Sequence, residues 1–458
     1  MKRTATKSPP TVVSELQQHI LTDGFGIVID LEKSRGPYLC DAASGRVLLD
    51  LYGFTGSLPI GFNHPYFDQP DVKHRLAEST RTKVANSDVY SEHLATFVRT
   101  FDRVMGLPPL RRYFFVDGGA LAVENALKAA MDWKVRRNIA AGRGERGTEI
   151  VHFQQAFHGQ SGYTMSLTNT DPRKIDYFAK FLWPRILAPI LDFSLPPAQR
   201  ARAVVQKEQL AEKQLRDVLG LKGVDIAAII IEPIQGEGGD NHFRGEFLRL
   251  LRQICDEHDV LLIFDEVQTG FGTTGKRWCC EHFGVSPDLI AFGKKSQACG
   301  VMIGPRLDEV KDNVFRLPGR VRSTWGGSLS DMVRCTCYLH VVEKEGLVDH
   351  AKRVGEELLE GLHELAGAYT PISAVRGRGL MFAFDLPDRE TREKFYKGLY
   401  DVGLLALRSG ESSICFRPAL DFPMHAVERA IDILREQCGR MSTTRLSTHV
   451  VVPDLGGI

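Results

Sequence analysis

Two acids and two amines stand at the ends of apolar runs in this 458-residue chain. The run from Val260 to Phe264 is rich in branched residues and stops at Asp265 and Glu266; the run from Leu289 to Phe292 stops at Gly293 and then Lys294 and Lys295. Short apolar runs bounded by turn residues read as buried strands of an α/β sheet. Ligands in such sheets bind just beyond the carboxyl ends of the strands, so one strand end delivers an acid and its neighbour an amine to the same place. A lysine just past a buried strand is desolvated, which lowers its pKa and leaves the amine nucleophilic. Each residue alone has a plainer reading, since an acid at a strand end is most often a helix cap and a lysine pair is usually a surface feature.

Two further features point to the same place. A strand ending at Val116 runs into Asp117-Gly118-Gly119 and then a periodic helix from Ala120 to Arg137. Free N–H groups and the positive end of the helix dipole make that junction an anion site. It lacks both G-x-G-x-x-G and G-x-x-x-x-G-K-[ST], so a dinucleotide or nucleoside triphosphate is the less expected phosphate. Phe157 and His158 come after the EIVHF run (Glu149–Phe153) on a glycine-flanked turn. An aromatic there is either core or a flat platform for a planar ring. Phosphate cradle, aromatic platform, acid and lysine together meet the needs of pyridoxal phosphate: a lysine for the Schiff base, and an acid that keeps the pyridine nitrogen protonated so that the ring accepts electrons.

The elements that must position these groups alternate. Strand candidates at 113–116, 149–153, 225–233, 260–264 and 289–292 are separated by helices at 91–106, 120–137, 201–219 and 245–259. That alternation predicts an α/β fold with a mainly parallel sheet covered on both faces. A hairpin about the Ala43–Gly45 turn and a long loop from Gly53 to Pro65 precede it. Past residue 330 the pattern becomes α+β, with helices Leu329–Lys344, Leu347–Ala368, Arg389–Val402 and His425–Met441. The expected division is residues 1–60 as an arm and part of a small domain, 61–330 as the large cofactor-binding domain, and 331–458 as the rest of the small domain. The tail THVVVPDLGGI carries no pattern.

Basic and acidic residues nearly cancel, 58 against 57, which leaves no footprint for nucleic acid or an anionic membrane. No run approaches the length of a membrane span, and the basic start lacks the apolar core of a secretory signal. Nine cysteines without C-x-x-C spacing argue against a disulfide framework and against a zinc site. The expectation is a soluble cytoplasmic protein with reduced thiols and no metal, in which modification of Cys299, near the lysine pair, would disturb the site without the thiol being catalytic.

In order along the chain, GGALAVENALKAA, FHG, IIIEPIQGEGGD, DEVQTG, DLIAFGKK, STWGG and FRPAL resemble the motifs of the class III aminotransferases of fold type I. NSDVYS, GYTMSLTNT and EPIQGEGGDNHFR bring the likeness nearest to the L-lysine 6-aminotransferases. The resemblance covers nearly the whole chain and implies a large domain whose mainly parallel sheet is of the seven-stranded type. It implies that Lys294, six residues after Asp288, is the Schiff-base lysine, that Asp265 pairs with the pyridine nitrogen and that Gln268 reaches the phenolic oxygen. Phe157 would stack on the ring beside His158, with Glu232 also in the cofactor site. Gly119 and Ala120 would hold the phosphate, completed by Ser323 and Thr324 from the partner subunit of a homodimer. The implied reaction is ping-pong, carrying the terminal amine of L-lysine to 2-oxoglutarate and giving the 6-semialdehyde and glutamate.

Both substrates carry carboxylates. The resemblance assigns them to Arg417, with Glu237 as its switchable partner, and associates the loop at Thr55 with substrate. The family's arginine after FHG is here Gln160, which has no charge to offer a carboxylate. Arg322, where asparagine is expected, is the candidate to restore that charge from the neighbouring subunit. Thr55, Gln160 and Arg322 leave open another ω-amino donor, such as ornithine or 4-aminobutyrate, and, less favoured, an aminomutase on the same fold.

Overall fold

Every residue of Leu261–Asp265 is buried, as a strand covered on both faces requires. The computed structural model describes residues 9–447 and builds a seven-stranded sheet around this strand. In chain order its strands are β1 (Arg112–Val116), β2 (Glu149–Phe153), β3 (Arg185–Ile186), β4 (Ile226–Ile231), β5 (Leu261–Asp265), β6 (Leu289–Phe292) and β7 (Cys299–Ile303). They lie side by side as β1-β7-β6-β5-β4-β2-β3. All pair in parallel except β7, which is antiparallel to both its neighbours.

Side chains of a strand alternate between its faces, and β5 uses both. Leu261 and Ile263 pack with Val123, Leu127 and Ala130 of helix Gly119–Ala140. Leu262 and Phe264 pack with Phe247, Leu251 and Ile254 of helix Gly245–Glu257. The same alternation turns Asp265 toward the face that carries helix Gly119–Ala140.

Strand β7 is absent from the sequence expectation, and its position is decisive for the site. It ties β6 to β1, with Phe292 opposite Gly300 and Cys299 opposite Val116. That register lays the Gly293–Lys294 turn beside the start of helix Gly119–Ala140. Gly300 permits the close approach, because a Cβ there would lie 2.2 Å from the Phe114 carbonyl oxygen. Helix Pro70–Thr80 is likewise absent from that expectation; only Val72, Leu76 and its alanine are apolar, too few for a clear helical stripe.

The C-terminal part adds helices Leu329–Lys344 and Leu347–Ala368, a four-stranded antiparallel sheet within 373–416, and helix Met424–Ser447. The expected N-terminal hairpin is present as Tyr38–Cys40 against Val47–Asp50, and Leu404–Leu405 joins it in parallel. In place of the start of the expected long loop, the chain makes a tight turn at Gly53–Gly56, with Phe54 (φ 50°) and Thr55 (φ 59°) both left-handed. The patternless tail lies outside the described residues. Among the described residues no helix is long and apolar enough to cross a membrane.

Candidate active site

The ends of β5 and β6 and the start of helix Gly119–Ala140 meet at one point. Asp265 lies opposite Ala291, whose carbonyl accepts the Glu266 N–H at 2.9 Å. A Cβ added to Gly119 would come within 2.9 Å of Val267 Cγ1, and one added to Gly293 within 3.4 Å of Gly119 Cα. A cleft of about 980 Å³ opens there, lined by Thr55, Gly119, Ala120, Phe157, His158, Gln160, Glu232, Glu237, Asp265, Gln268, Lys294 and Arg417. Twelve of the expected site residues thus share one cavity. Ser323, Thr324 and Arg322 do not line it; Arg322 is exposed and ion-paired with Asp88.

Geometry separates the two lysines. Lys295 is buried and donates to the Leu58 carbonyl at 3.0 Å and the Pro418 carbonyl at 2.9 Å, which fixes it in the scaffold. Lys294 faces the cleft, and its Nζ donates to the Thr55 carbonyl at 3.1 Å. Its backbone is left-handed (φ 52°), a conformation a non-glycine residue keeps only where its surroundings enforce it. Burial, then the Arg417 charge, push the Lys294 amine down to about 8 and that of Lys295 to about 7. At pH 7 about one Lys294 amine in ten is therefore free, against about three in ten thousand for an ordinary lysine. Competitive acetylation of the cofactor-free protein is expected to show Lys294 reactivity rising with pH through about 8. A midpoint near 10.5 would mean that the amine is not desolvated.

The two adjacent acids have different roles. Glu266 is buried and accepts the N–H groups of Cys279 at 2.6 Å and Cys280 at 2.9 Å, a structural task. Burial raises its carboxyl to about 7. Asp265 accepts the Val267 N–H at 3.0 Å, and its other oxygen lies 2.8 Å from His158 Nδ1. Burial pulls the His158 imidazole down, but the Asp265 hydrogen bond and charge, with Glu232, outweigh it and raise the pKa. Glu232 accepts the Phe157 N–H at 2.9 Å and the Gly236 N–H at 3.1 Å, clamping the platform turn to the next loop. Burial lifts the Glu232 carboxyl to about 7.

These groups fit pyridoxal phosphate. The helix start is preceded by Gly118 (φ 97°) and has no side-chain cap, which leaves its first N–H groups available to an anion. His158 Nε2 is buried without a partner, the kind of orphan that a bound group resolves. Gln268 Oε1 accepts from Arg417 Nη2 at 3.0 Å, so the Gln268 amide nitrogen remains as a donor toward the cleft.

The pairing expected between Arg417 and Glu237 is replaced by another. Arg417 is buried and ion-paired with Asp240, Nη1 to Oδ2 at 2.9 Å and Nη2 to Oδ1. Its remaining N–H groups go to the Phe416 carbonyl and to Gln268. Glu237 instead accepts from Thr170 Oγ1 at 2.9 Å and pairs with Lys174. Asp240 belongs to the quoted EPIQGEGGD motif, but nothing in the motif tells which of its acids reaches the arginine. Lys174 has no motif signal.

Among the described residues no cysteine is paired in a disulfide, and all nine are buried. Cys299 packs on Gly293, where an added Cβ would meet its Sγ at 3.0 Å, and burial raises its thiol above the usual range.

Residues 23–437 match the family model described as aminotransferase class-III. The chain is 46% identical over 422 residues to the L-lysine-epsilon aminotransferase of Streptomyces clavuligerus, covering 92% of each chain. It is 47% identical over 431 residues to the protein of that name from Mycobacterium tuberculosis, covering 93% of this chain and 95% of the relative. A solved structure of lysine aminotransferase from M. tuberculosis in the internal aldimine form superposes with a TM-score of 0.92 at 47% identity, over 94% of this chain and 99% of the other.

Proposed function

The chain belongs to the class-III aminotransferases, and on that premise we propose that it transfers the ε-amino group of L-lysine to 2-oxoglutarate, giving the 6-semialdehyde and L-glutamate. It is a pyridoxal-phosphate-dependent enzyme of fold type I. One observation carries the choice of lysine: the likeness to lysine-epsilon aminotransferases at 46–47% identity spans more than nine-tenths of the chain.

When bound, pyridoxal phosphate supplies an electron sink that stabilises negative charge at the amine-bearing carbon of the substrate. Lys294 Nζ would hold it covalently and, when freed by an incoming amine, would be placed to take a proton from the substrate carbon and return it nearby. Asp265 would hold the pyridine nitrogen in its protonated form, with His158 fixing the Asp265 carboxylate through the 2.8 Å contact. Phe157 would cover the ring, while the N–H groups of Gly119 and Ala120 would hold the phosphate. Gln268 would donate to the phenolic oxygen through its amide nitrogen. Arg417 takes a carboxylate of the keto acid after giving up its contacts to Gln268, with Asp240 remaining as its counter-ion.

A second copy of the chain completes the phosphate site with Ser323 and Thr324. Supporting this, Ser87 Oγ donates to the Thr324 carbonyl at 2.8 Å, and Val89, Tyr90 and Trp325 beside it are exposed, an apolar patch suited to a subunit interface. Nine buried thiols suit a reducing compartment such as the cytoplasm.

The test is product analysis with L-lysine and 2-oxoglutarate, trapping the aldehyde, which cyclises to an imine, and assaying glutamate. Equimolar formation of both is expected. Higher kcat/KM for ornithine or 4-aminobutyrate than for lysine would overturn the choice of donor.

A further inference from the structure

Position 160 is the point where a charge is missing. Gln160 is exposed, and its Nε2 lies 3.4 Å from the carbonyl oxygen of Lys174. The Lys174 ammonium occupies the cleft wall next to it. Lys174 closes the short turn Pro172–Lys174, whose start is fixed by Asp171 accepting the Arg173 N–H at 3.0 Å. Its Nζ pairs with Glu237 and lies 5.1 Å from the centroid of the Phe157 ring, the expected cofactor platform. A lysine so placed stands within reach of whatever substrate lies over the cofactor.

Among the cleft-lining cations that hold carboxylates, Arg417 and Lys174 differ in how readily they release them. Arg417 and Asp240 are each 1% exposed in their side chains, and every N–H of the guanidinium is engaged. Parting such a pair strands a buried charge. Lys174 and Glu237 are 34% and 27% exposed, so solvent partly screens the pair and parting it costs less than parting Arg417 from Asp240. The same Glu237 oxygen keeps the Thr170 hydroxyl at 2.9 Å when Lys174 leaves. An ammonium has three donors, and among the described residues the Lys174 ammonium has one hydrogen-bond partner, Glu237. It therefore has donors to spare for a second carboxylate. Arg322, the cation expected from the sequence to restore the charge, is paired with Asp88 outside this cleft.

We propose that Lys174, supplied by the same chain, anchors the carboxylate of the amino donor and so selects a donor that carries one, with Glu237 as its counter-ion in the free cleft. This rests on the lysine reading above. In the free cleft Lys174 sits on Glu237; an entering donor carboxylate joins or replaces Glu237 on the ammonium, and the chain's own charge replaces what glutamine at position 160 lacks.

The test uses holoenzyme without keto acid and follows loss of the cofactor's yellow absorbance with two donors, L-lysine and 1,5-diaminopentane, which is lysine without its carboxylate. Lys174→Met is expected to lower the second-order rate constant for lysine roughly 10- to 100-fold, the range for a hydrogen bond to a charged group, with a far smaller fall for the diamine. Lys174→Arg should retain most of the preference for lysine. A preference unchanged in Lys174→Met, or one that collapses in Arg322→Ala instead, overturns the assignment to Lys174. Wild-type enzyme that reacts with the diamine but not with lysine overturns the lysine reading itself, and the inference with it.

Discussion

Lys294→Ala is expected to lower kcat by more than about 10⁴-fold, because one amine serves as both covalent anchor and proton carrier. Among the described residues its side chain makes one hydrogen bond, to the Thr55 carbonyl, and its left-handed backbone is imposed by the β6–β7 turn, so alanine should leave the fold standing. Binding of the cofactor is expected to persist through the helix start, Asp265 and the Phe157 turn. Equilibrium dialysis would then find the cofactor bound reversibly by a variant with no turnover. Lys295→Ala should behave differently. It removes a buried ammonium from the Leu58 and Pro418 carbonyls and should lower thermal stability without removing the reactive amine. Wild-type turnover by Lys294→Ala would assign the chemistry elsewhere.

Asp265→Asn should cost roughly 10²–10³ in kcat, the range seen when one charge-stabilising partner is removed from a closed site. Asparagine can still bond to His158 and the Val267 N–H, so the packing survives while the charge that favours a protonated pyridine nitrogen is lost. The same change takes away the main causes that raise the His158 imidazole against its burial, so the His158 pKa should fall. Asp265→Ala is the less informative variant, because unpairing a fully buried charge costs about 3–5 kcal/mol and mixes instability with chemistry. A fall in kcat of less than about fivefold in Asp265→Asn, with the fold intact, would remove Asp265 from its assigned role.

Much of this site was legible because the residues that carry it end strongly patterned elements. VLLIF and LIAF read as buried strands from composition alone, and the residues just past a buried strand in an α/β sheet face the ligand side. Asp265, Lys294 and the glycine turn at Gly118–Gly119 were found in that way. The choice of Lys294 over Lys295 came from motif spacing; the structure adds the physical reason, two carbonyls that hold Lys295 away from the cleft. Strand β7 was not legible: CGVMI is five residues long and is preceded by the turn that carries the lysines, so it reads as that turn continuing.

Charge pairing was the least legible level. Glu237 and Asp240 stand three residues apart in one glycine-rich loop, and sequence cannot say which reaches Arg417. Asp240, left-handed at φ 51°, turns its carboxylate inward to the buried guanidinium, while Glu237 stays at the cleft wall with Lys174. Lys174 lies in an irregular stretch where no periodicity fixes direction, so only the folded chain brings it over Phe157.

The measurement that bears most directly on the central claim is a single half-reaction. Holoenzyme is mixed with L-lysine alone, then separately with ornithine and with 4-aminobutyrate, and loss of the yellow cofactor band is followed. Lysine is expected to bleach the band completely and faster than either rival, and 2-oxoglutarate is then expected to restore it. A band that persists in lysine while ornithine or 4-aminobutyrate bleaches it would contradict the assignment of lysine as donor.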